Sequence, residues 1–300
     1  MKNLLIVILF FSIYTCSAQY AKSNEKVFTS ISTAAQFSGR VTQLNLRDQK
    51  LFYLNDSITE LTNLTFVNLM GNNFEAWDNS LFSLKKVEVI NYYGNHIIEI
   101  PAEIKKQKKI VKLDLTNNNI KRIPDEIGAL KNLKFLFISL NQLELISTEI
   151  GKCKALESLD LHNNQLSFLP ESISHLSSLT NLNIGYNQLN ELDVNWFGFK
   201  SLTYLNLEAN SINMLPEEVG RIKSLKSLIL SDNQIVEIPN SICDLTNLEL
   251  LILSNNQLKV LPLNISNLYS LSTLILTGND FSTDEKIRIQ EALPNCYIAF

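Results

Sequence analysis

Glycine, proline and cysteine are all scarce in this 300-residue chain, which holds 9 Gly, 7 Pro and 4 Cys. So few glycines and prolines exclude a collagen-like chain or a low-complexity linker, and four cysteines are too few for a disulfide framework. The hydrophobic content of 45% excludes general disorder. The formal net charge of −4 provides no positive field for nucleic acid, so we expect no nucleic-acid partner.

The first eighteen residues have the layout of a secretory signal peptide. Lys2 is followed by an apolar run over residues 4–13, and Cys16-Ser17-Ala18 supplies a small-residue cleavage site. The run is shorter than the ~20 residues of a spanning helix, and no later stretch has that length and apolar character. The sequence therefore predicts a secreted or cell-envelope protein without a transmembrane segment. A lipid anchor on Cys16 is the alternative.

A repeat of 23 residues organises most of the remaining chain, which is rich in leucine (50) and asparagine (35). Eleven repeats follow one another without insertion from Val41 to Phe281. Positions 1, 4, 6 and 11 of these repeats make 44 sites, of which 43 hold Leu, Ile, Val or Phe and one holds Tyr92. Position 9 is Asn in ten repeats and Gln49 in the first. The repeats, numbered 1 to 11, begin at Val41, Leu64, Val87, Ile110, Leu133, Leu156, Leu179, Leu202, Leu225, Leu248 and Leu271.

The spacing of residues within each repeat predicts one short strand and one tight turn. Apolar positions 4 and 6 alternate with positions 3, 5 and 7, which is the period of a strand with one buried face. A single such strand cannot bury itself, so the repeats must stack side by side into a parallel sheet. The position-9 asparagines can then pair with backbone groups at the turn. Proline at position 15 suits the first residue of a short helical turn.

Repeat 6 reads LESLDLHNNQLSFLPESISHLSS and resembles a leucine-rich repeat of the 23-residue LxxLxLxxNxLxxLPxxIxxLxx type. This form is similar to that of bacterial secreted leucine-rich-repeat proteins and Scribble-like scaffolds. The resemblance implies an α/β repeat solenoid, a right-handed horseshoe with a parallel concave sheet. It also implies a binding surface rather than an enzyme, and no cofactor.

Both ends of the repeat array carry sequence typical of caps. Residues 19–40 are expected to form an N-terminal capping helix, because apolar residues recur at helical spacing between Val27 and Ala35. Residues 282–300 are expected to form a C-terminal cap, since Ser282 and Glu285 have capping-box spacing. The predicted organisation is a signal peptide over 1–18, caps over 19–40 and 282–300, and repeats over 41–281.

Candidate catalytic and metal-binding residues are few. The three histidines, His96, His162 and His175, have no partner at metal-ligand spacing. Cys153 stands where the repeat places Leu and is interpreted as a buried thiol. Asp114 and Asp160 share position 5 two repeats apart, about 10 Å at the usual strand spacing. An acid–base pair there is conceivable, but no metal site and no enzymatic activity are predicted.

Positions 3, 5, 7 and 8 project from the predicted concave sheet, and two groups of apolar residues lie there. We call the first the aromatic patch; it comprises Phe66, Met70, Val89, Tyr93, Phe135, Phe137 and Leu140. We call the second the aliphatic row; it comprises Ile229, Leu250, Ile252 and Ile275. Aromatic residues are typical interface anchors, so the aromatic patch is predicted to bind a protein partner.

Other interpretations of the concave face stay open. The aliphatic row suits a plain strand surface or a site of self-association. A glycan-binding surface is the alternative function, with five asparagines as hydrogen-bonding groups and three tyrosines as stacking platforms. Those residues are Asn45, Asn68, Asn91, Asn183 and Asn206, with Tyr93, Tyr186 and Tyr204. The favoured prediction is an exported protein that binds another protein through its concave sheet.

Overall fold

Fifteen short strands form in the computed structural model, which describes residues 25–300. They are β1 (Val27–Phe28), β2 (Gln43–Asn45), β3 (Phe66–Asn68), β4 (Val89–Asn91), β5 (Lys112–Asp114), β6 (Arg122–Ile123), β7 (Phe135–Phe137), β8 (Leu145–Ile146), β9 (Ser158–Asp160), β10 (Asn181–Asn183), β11 (Tyr204–Asn206), β12 (Ser227–Ile229), β13 (Leu250–Ile252), β14 (Thr273–Ile275) and β15 (Tyr297–Ala299).

All strands except β6 and β8 join one parallel sheet of 13 strands, in the order in which they occur along the chain. From β2 to β14 each residue pairs with the residue 23 positions later, as Leu136 does with Leu159. Strands β6 and β8 pair with each other in a small second sheet. The predicted fold class, a leucine-rich-repeat solenoid with a long parallel sheet, is confirmed, and the 23-residue period sets the pairing register.

Short 3₁₀ helices return the chain from one strand to the next. They span Ser38–Arg40, Asp56–Glu60, Asn79–Ser83, Ala102–Lys106, Asp125–Ala129, Thr148–Lys152, Glu171–His175, Val194–Gly198, Glu217–Arg221, Asn240–Asp244 and Ile265–Asn267. Their central apolar residues, such as Ile127 and Ile150, are fully buried against the strands. A continuous hydrophobic core therefore runs through the stack from Phe28 to Leu293.

The position-9 asparagines form the predicted ladder. In repeat 5 the Asn141 side-chain amide donates to the carbonyls of Leu115, Ile138 and Ser139 at 3.0, 3.1 and 3.0 Å. Its oxygen accepts the backbone N–H of Ile120 at 2.9 Å. One side chain thus satisfies backbone groups of its own repeat and of the preceding repeat, which explains why this position tolerates so little change.

Position 15 differs in detail from the sequence prediction. Pro101 and Pro124 occupy the cap position just before the 3₁₀ helix rather than its first residue, with extended backbone angles. Where the proline is missing, a polar side chain caps the helix instead, as when Asp78 accepts the N–H of Ser80 at 3.0 Å. Proline is favoured here because it fixes the extended backbone of the cap, not because its missing N–H is tolerated inside the helix.

The N-terminal cap differs from the single helix predicted for this end of the chain. Helix α1 (Ile31–Ala35) is only five residues long, and Ser30 caps its start by accepting the Thr33 N–H. Val27 and Phe28 form β1, which pairs with β2 and covers the first edge of the sheet. An edge strand left open would expose unpaired backbone groups, so pairing overrides the helical spacing of these residues.

The C-terminal cap combines helix α2 (Thr283–Ala292) with the last strand, β15. Ser282 caps α2 by accepting the Glu285 N–H at 3.2 Å, as its spacing predicts. The Glu285 carboxylate does not return to Ser282; it accepts the Leu261 N–H at 2.8 Å and pairs with Arg288. The hydrogen bond to Leu261 ties the helix to repeat 10. Strand β15, which was not predicted, closes the other edge of the sheet.

The predicted signal peptide over residues 1–18, with Cys16, and residues 19–24 of the predicted N-terminal cap lie outside the described residues. Within residues 25–300, none of the helices combines the length and the apolar character needed to cross a bilayer.

Candidate functional site

Strand β7 shows which side chains the concave face presents. Leu136 is fully buried, whereas Phe135 and Phe137 on either side of it are partly exposed. Their ring centroids lie 6.5 Å apart on the concave surface. Because successive side chains of a strand point to opposite faces, the core requires only Leu136 at this strand. Phe135 and Phe137 therefore lie on the concave face, as their repeat positions predict.

The aromatic patch is divided into two parts. Phe135, Phe137 and Leu140 belong to repeat 5, and strand β5 separates them from the patch residues of repeats 2 and 3. The second part consists of Phe66, Met70, Val89 and Tyr93. Phe66 is only 8% exposed and therefore contributes little surface, contrary to what its position suggests. Leu140, at 42%, is the most exposed member of the patch.

Lys112 and Asp114 of β5 occupy the space between the two parts. Both residues are buried on the concave side, and the Lys112 ammonium lies 4.9 Å from the centroid of the Phe137 ring. Burial raises the pKa of Asp114, while the Thr116 N–H and the positive charge of Lys112 oppose that shift. The positive charge of Lys112 therefore interacts with both the Phe137 ring and the Asp114 carboxylate.

Position 8 has an unusual backbone conformation in every repeat. Its φ angle is positive in all eleven, a conformation that glycine, asparagine and aspartate adopt most readily. Eight repeats carry one of those three residues there; repeats 5, 7 and 8 carry Leu140, Tyr186 and Ala209 instead. Leu140 and Tyr186 are 42% and 47% exposed, so the core gains little from these bulky side chains. Strain at exposed, bulky residues is typical of functional surfaces.

Position 5 forms a second row of side-chain hydrogen bonds. In seven repeats the side chain at this position accepts the backbone N–H two residues later, over 2.8 to 3.3 Å. The acceptor is an amide oxygen in five of these repeats and a carboxylate in two. The acceptors are Asn45, Asn68, Asn91, Asp114, Asp160, Asn183 and Asn206.

This row bears on the glycan alternative. Asn68, Asn91, Asn183 and Asn206 are all buried, and the oxygen of each is already bonded to the backbone of its own repeat. Side chains engaged in this way have few groups left for the hydroxyls of a sugar. All five asparagines proposed from sequence as sugar-binding groups thus have a role in holding the ends of the strands, and four of them are also buried.

Beyond repeat 5 the concave face becomes polar and acidic. Asp160 is 4% exposed, and burial raises its pKa to about 6. Burial and the nearby Asp232 raise the pKa of Glu208, and Glu208 is in turn the main cause of the raised pKa of Tyr186. His162 packs edge-on against Tyr186, with ring centroids 4.9 Å apart, and burial lowers its pKa. Negative charge therefore accumulates here on partly buried side chains.

The aliphatic row is brought together as its spacing predicts. Ile229 pairs with Ile252, and Ile252 pairs with Ile275, across three neighbouring strands. Leu250 flanks them on β13, and all four side chains are partly exposed. β-Branched residues are the usual occupants of such strand positions, so this row follows the preferences of the sheet.

Two adjacent, strongly exposed aromatics outside the concave face were missed from sequence. Phe52 and Tyr53 follow the turn of repeat 1 and are 64% and 76% exposed. They border a shallow cavity of about 390 Å³, whose lining includes Glu75 and the buried Trp77. Two adjacent aromatics at positions 12 and 13, where most other repeats have at least one polar residue, are the signal that could have revealed them.

The residues considered for catalysis are placed apart from one another. Asp114 and Asp160 lie on either side of Phe137, which pairs with both in the sheet. Cys153 is buried, donates to the Ile127 carbonyl, and has a pKa raised to about 11 by burial, so its thiolate is disfavoured. Among residues 25–300, no three His, Cys, Asp or Glu side chains are grouped to hold a metal ion. The concave arrangement offers hydrophobic contact, aromatic rings and negative charge.

Known proteins with the same architecture come from bacteria and plants. The internalin InlF of Listeria monocytogenes aligns at 22% identity with a TM-score of 0.76, over 87% of this chain and 74% of its own. InlJ, also from Listeria monocytogenes, aligns at 25% identity and a TM-score of 0.63, over 75% of this chain and 46% of its own. The plant peptide hormone receptor RGFR1, in complex with RGF2, aligns at 26% identity and a TM-score of 0.63, over 93% of this chain and 54% of its own.

A comparison with curated protein sequences finds no match. The family model described as a leucine-rich repeat region matches residues 78–193 and 197–293, which together make up more than half of the sequence. The matched ranges contain most of the strands of the large sheet. The chain therefore belongs to the leucine-rich-repeat family.

Proposed function

We propose that this protein is exported and binds a protein partner through its concave sheet face, with Phe135, Phe137 and Leu140 as the central contacts. The observation that carries the proposal is the backbone of Leu140. A bulky apolar residue stands there in a left-handed conformation, exposed, beside two phenylalanine rings that the core does not use. None of these three side chains is required by the repeat.

The surroundings of these residues support a protein partner. Leucine and phenylalanine side chains on a parallel sheet offer apolar contact, while the charged residues of β5 and β9 lie directly beside them. An apolar centre with a polar margin is the usual anatomy of a protein interface. RGFR1, which is 26% identical to this chain, is a peptide hormone receptor solved as a complex with RGF2. The remaining patch residues, Met70, Val89 and Tyr93, would extend the contact toward the N-terminus.

Parallel capture from envelope and host extracts tests the proposal. The baits are the wild-type protein, Phe135→Ala/Phe137→Ala, Leu140→Asn, and Phe168→Ala as the control, since Phe168 is 51% exposed at position 13, outside the strands of the concave sheet. We expect a partner that the wild-type and Phe168→Ala proteins retain and the other two lose. Its purified form should bind the double variant on the order of 30-fold more weakly, as expected for loss of an anchoring aromatic.

Two outcomes would redirect the proposal. Equal affinity of all four proteins for every identified partner would exclude the aromatic patch as the binding site. Binding to a glycan array that survives loss of Phe135 and Phe137 would favour the glycan alternative instead.

Export is tested separately by the intact mass of the protein from its native host, which should lack residues 1–18. A species that begins at an acylated Cys16 would place the protein on a membrane surface.

A further inference from the structure

The buried carboxylate of Asp160 exceeds what the fold requires at its position. The hydrogen bond at position 5 needs only an acceptor for the backbone N–H two residues later, and Asn183 on the next strand provides it with a neutral amide. Aspartate adds a negative charge where burial disfavours charge. Asparagine would make the same backbone hydrogen bond without that electrostatic penalty, and the Asp160 carboxylate also accepts from the side chains of Ser139 and Asn183. The charge itself therefore exceeds what the backbone hydrogen bond requires.

The two carboxylates of this row differ in their surroundings. Burial raises the pKa of Asp114, but the ammonium of Lys112 is close enough to oppose that shift. The groups that act on the charge of Asp160 are the His162 N–H, the side chains of Ser139 and Asn183, and a second carboxylate, Asp114. Hydrogen-bond donors stabilise the ionised form only in part. Asp160 is only 4% exposed and its oxygens are engaged by these donors, so it would act on a positive group from outside through its charge rather than by direct contact.

Glu208 and two tyrosines extend this charge into a surface zone, which we call the acidic zone: Asp160, Tyr186, Tyr204 and Glu208. Burial raises the pKa of Tyr204 to about 12, and the charges of Asp160 and Glu208 add to that shift, so this tyrosine lies near both carboxylates. Gly185 lies between His162 and Glu208 at position 7, and a Cβ there would come within 3.3 Å of the His162 ring and 3.1 Å of the Asn206 amide. Glycine thus lets the two sides of the zone approach closely.

The chemistry of the acidic zone is that of a site for a cation. Carboxylates attract a positive group, and tyrosine faces bind ammonium and guanidinium groups. Tyr186, exposed and held in a left-handed backbone, stands at the edge of this zone just as Leu140 stands at the edge of the phenylalanine pair. Two strained, exposed side chains two repeats apart mark adjoining parts of one surface.

We propose that the acidic zone receives an arginine or lysine side chain of the protein partner, whose apolar side chain packs on Phe135, Phe137 and Leu140. This inference rests on the proposed function and adds the chemistry of the partner. Strands β7 and β11 are three steps apart in the sheet, about 14 Å at ~4.8 Å per step. An extended segment covers that distance in about four residues, so the basic and apolar residues should be spaced accordingly.

The binding of a basic segment should weaken as the pH falls. Asp160, with a pKa of about 6, and Glu208, with a raised pKa, lose their negative charge as the pH is lowered. Protonation of His162, whose pKa burial lowers, adds a positive charge beside them as the pH falls. The other ionisable groups around the zone are Asp114, Lys112, Tyr186, Tyr204 and Asp232. Of these, the two tyrosines, whose pKa values are raised, stay neutral in this range.

The test is selection of displayed random 12-residue peptides on the folded protein at pH 7.5. We expect the selected peptides to combine an arginine or lysine with an aromatic or aliphatic residue about four positions away. A synthetic peptide from that set should bind Asp160→Asn/Glu208→Gln at least tenfold more weakly, and should bind wild type at least fivefold more weakly at pH 5.5 than at pH 7.5. The control Glu144→Gln/Glu191→Gln removes the same charge from exposed positions outside the concave sheet.

The outcomes separate this inference from the proposed function. If the peptides depend on Phe137 and Leu140 but bind the Asp160/Glu208 double variant like wild type, the inference fails and the proposed function stands. If no selected peptide depends on either group, both fail. Glu208→Gln alone provides a second variant at a partly exposed position, and denaturation midpoints confirm that each protein is folded. Equal weakening by the Glu144/Glu191 control would show general charge attraction and also overturn the inference.

Discussion

Repeats 5 to 8 and repeats 9 to 11 present different kinds of concave surface on the same scaffold. In the later repeats, Ile229, Ile252 and Ile275 pair directly across the sheet, as β-branched residues commonly do. In the earlier repeats, Leu140 and Tyr186 adopt a left-handed backbone conformation that bulky residues seldom adopt. Asp160 carries a buried charge there, which an asparagine at the same position would not have. Departures from the preferences of the repeat, rather than apolar character alone, distinguish a binding surface from a plain strand surface.

The largest expected effect separates the two faces of strand β7. Leu136→Ala should lower the free energy of unfolding by about 2–5 kcal/mol, because it leaves a cavity in a fully buried site. Phe135→Ala and Phe137→Ala should each stay within about 1 kcal/mol of wild type, since partly exposed side chains lose less packing. Urea denaturation midpoints of the three variants check this. A phenylalanine variant as unstable as Leu136→Ala would mean that its ring supports the core.

Asp160→Asn should stabilise the protein at neutral pH by about 1–3 kcal/mol, because it removes a buried charge while keeping the acceptor for the His162 N–H. The folded-state pKa of about 6 lies above the ordinary value of an aspartate, so the folded state binds the proton more tightly than the unfolded state. Wild-type stability should therefore rise as the pH falls from 7 toward 4, and the advantage of the variant should disappear there. Chemical denaturation at several pH values measures it.

Position 8 allows a reciprocal comparison between neighbouring repeats. Leu140→Asn should raise the free energy of unfolding by about 1 kcal/mol, because asparagine tolerates the left-handed backbone that leucine resists. Asn163→Leu, the reverse change one repeat later, should lower it by about the same amount. Denaturation midpoints of both variants and of the double variant test the pair. If Leu140→Asn were destabilising instead, the leucine would be packing usefully, and the argument from strain would fail.

The smallest effect is expected in the aliphatic row. Ile252→Thr keeps a β-branched side chain at a partly exposed strand position, so the free energy of unfolding should change by no more than about 0.5 kcal/mol. Binding of the selected peptides should be unchanged. Sedimentation velocity on the same samples reports on the self-association considered for this row: an oligomer present in wild type and absent in Ile252→Thr would establish it. A large loss of peptide binding would instead move the binding site to these repeats.

The repeated part of this structure was predictable from sequence because each repeat meets the same physical requirement eleven times. Positions 4 and 6 must fill the core, and position 9 must satisfy backbone groups of two repeats, so Leu136 and Asn141 are identified by spacing alone. The ends were less predictable, because β1 and β15 form only where the sheet would otherwise have an open edge. Pairing with a distant strand, rather than local spacing, determined their conformation.

The candidate site shows the same division. The sequence alone determined the period, the strand positions, the buried face and the list of side chains that the concave face can present. Only the tertiary structure decided that Phe66 is covered, that β5 divides the aromatic patch, that position 8 is left-handed, and that Asp160 is buried. Those features depend on the distances and the local environment that stacking creates between residues 23 or more positions apart, and a one-dimensional pattern carries neither.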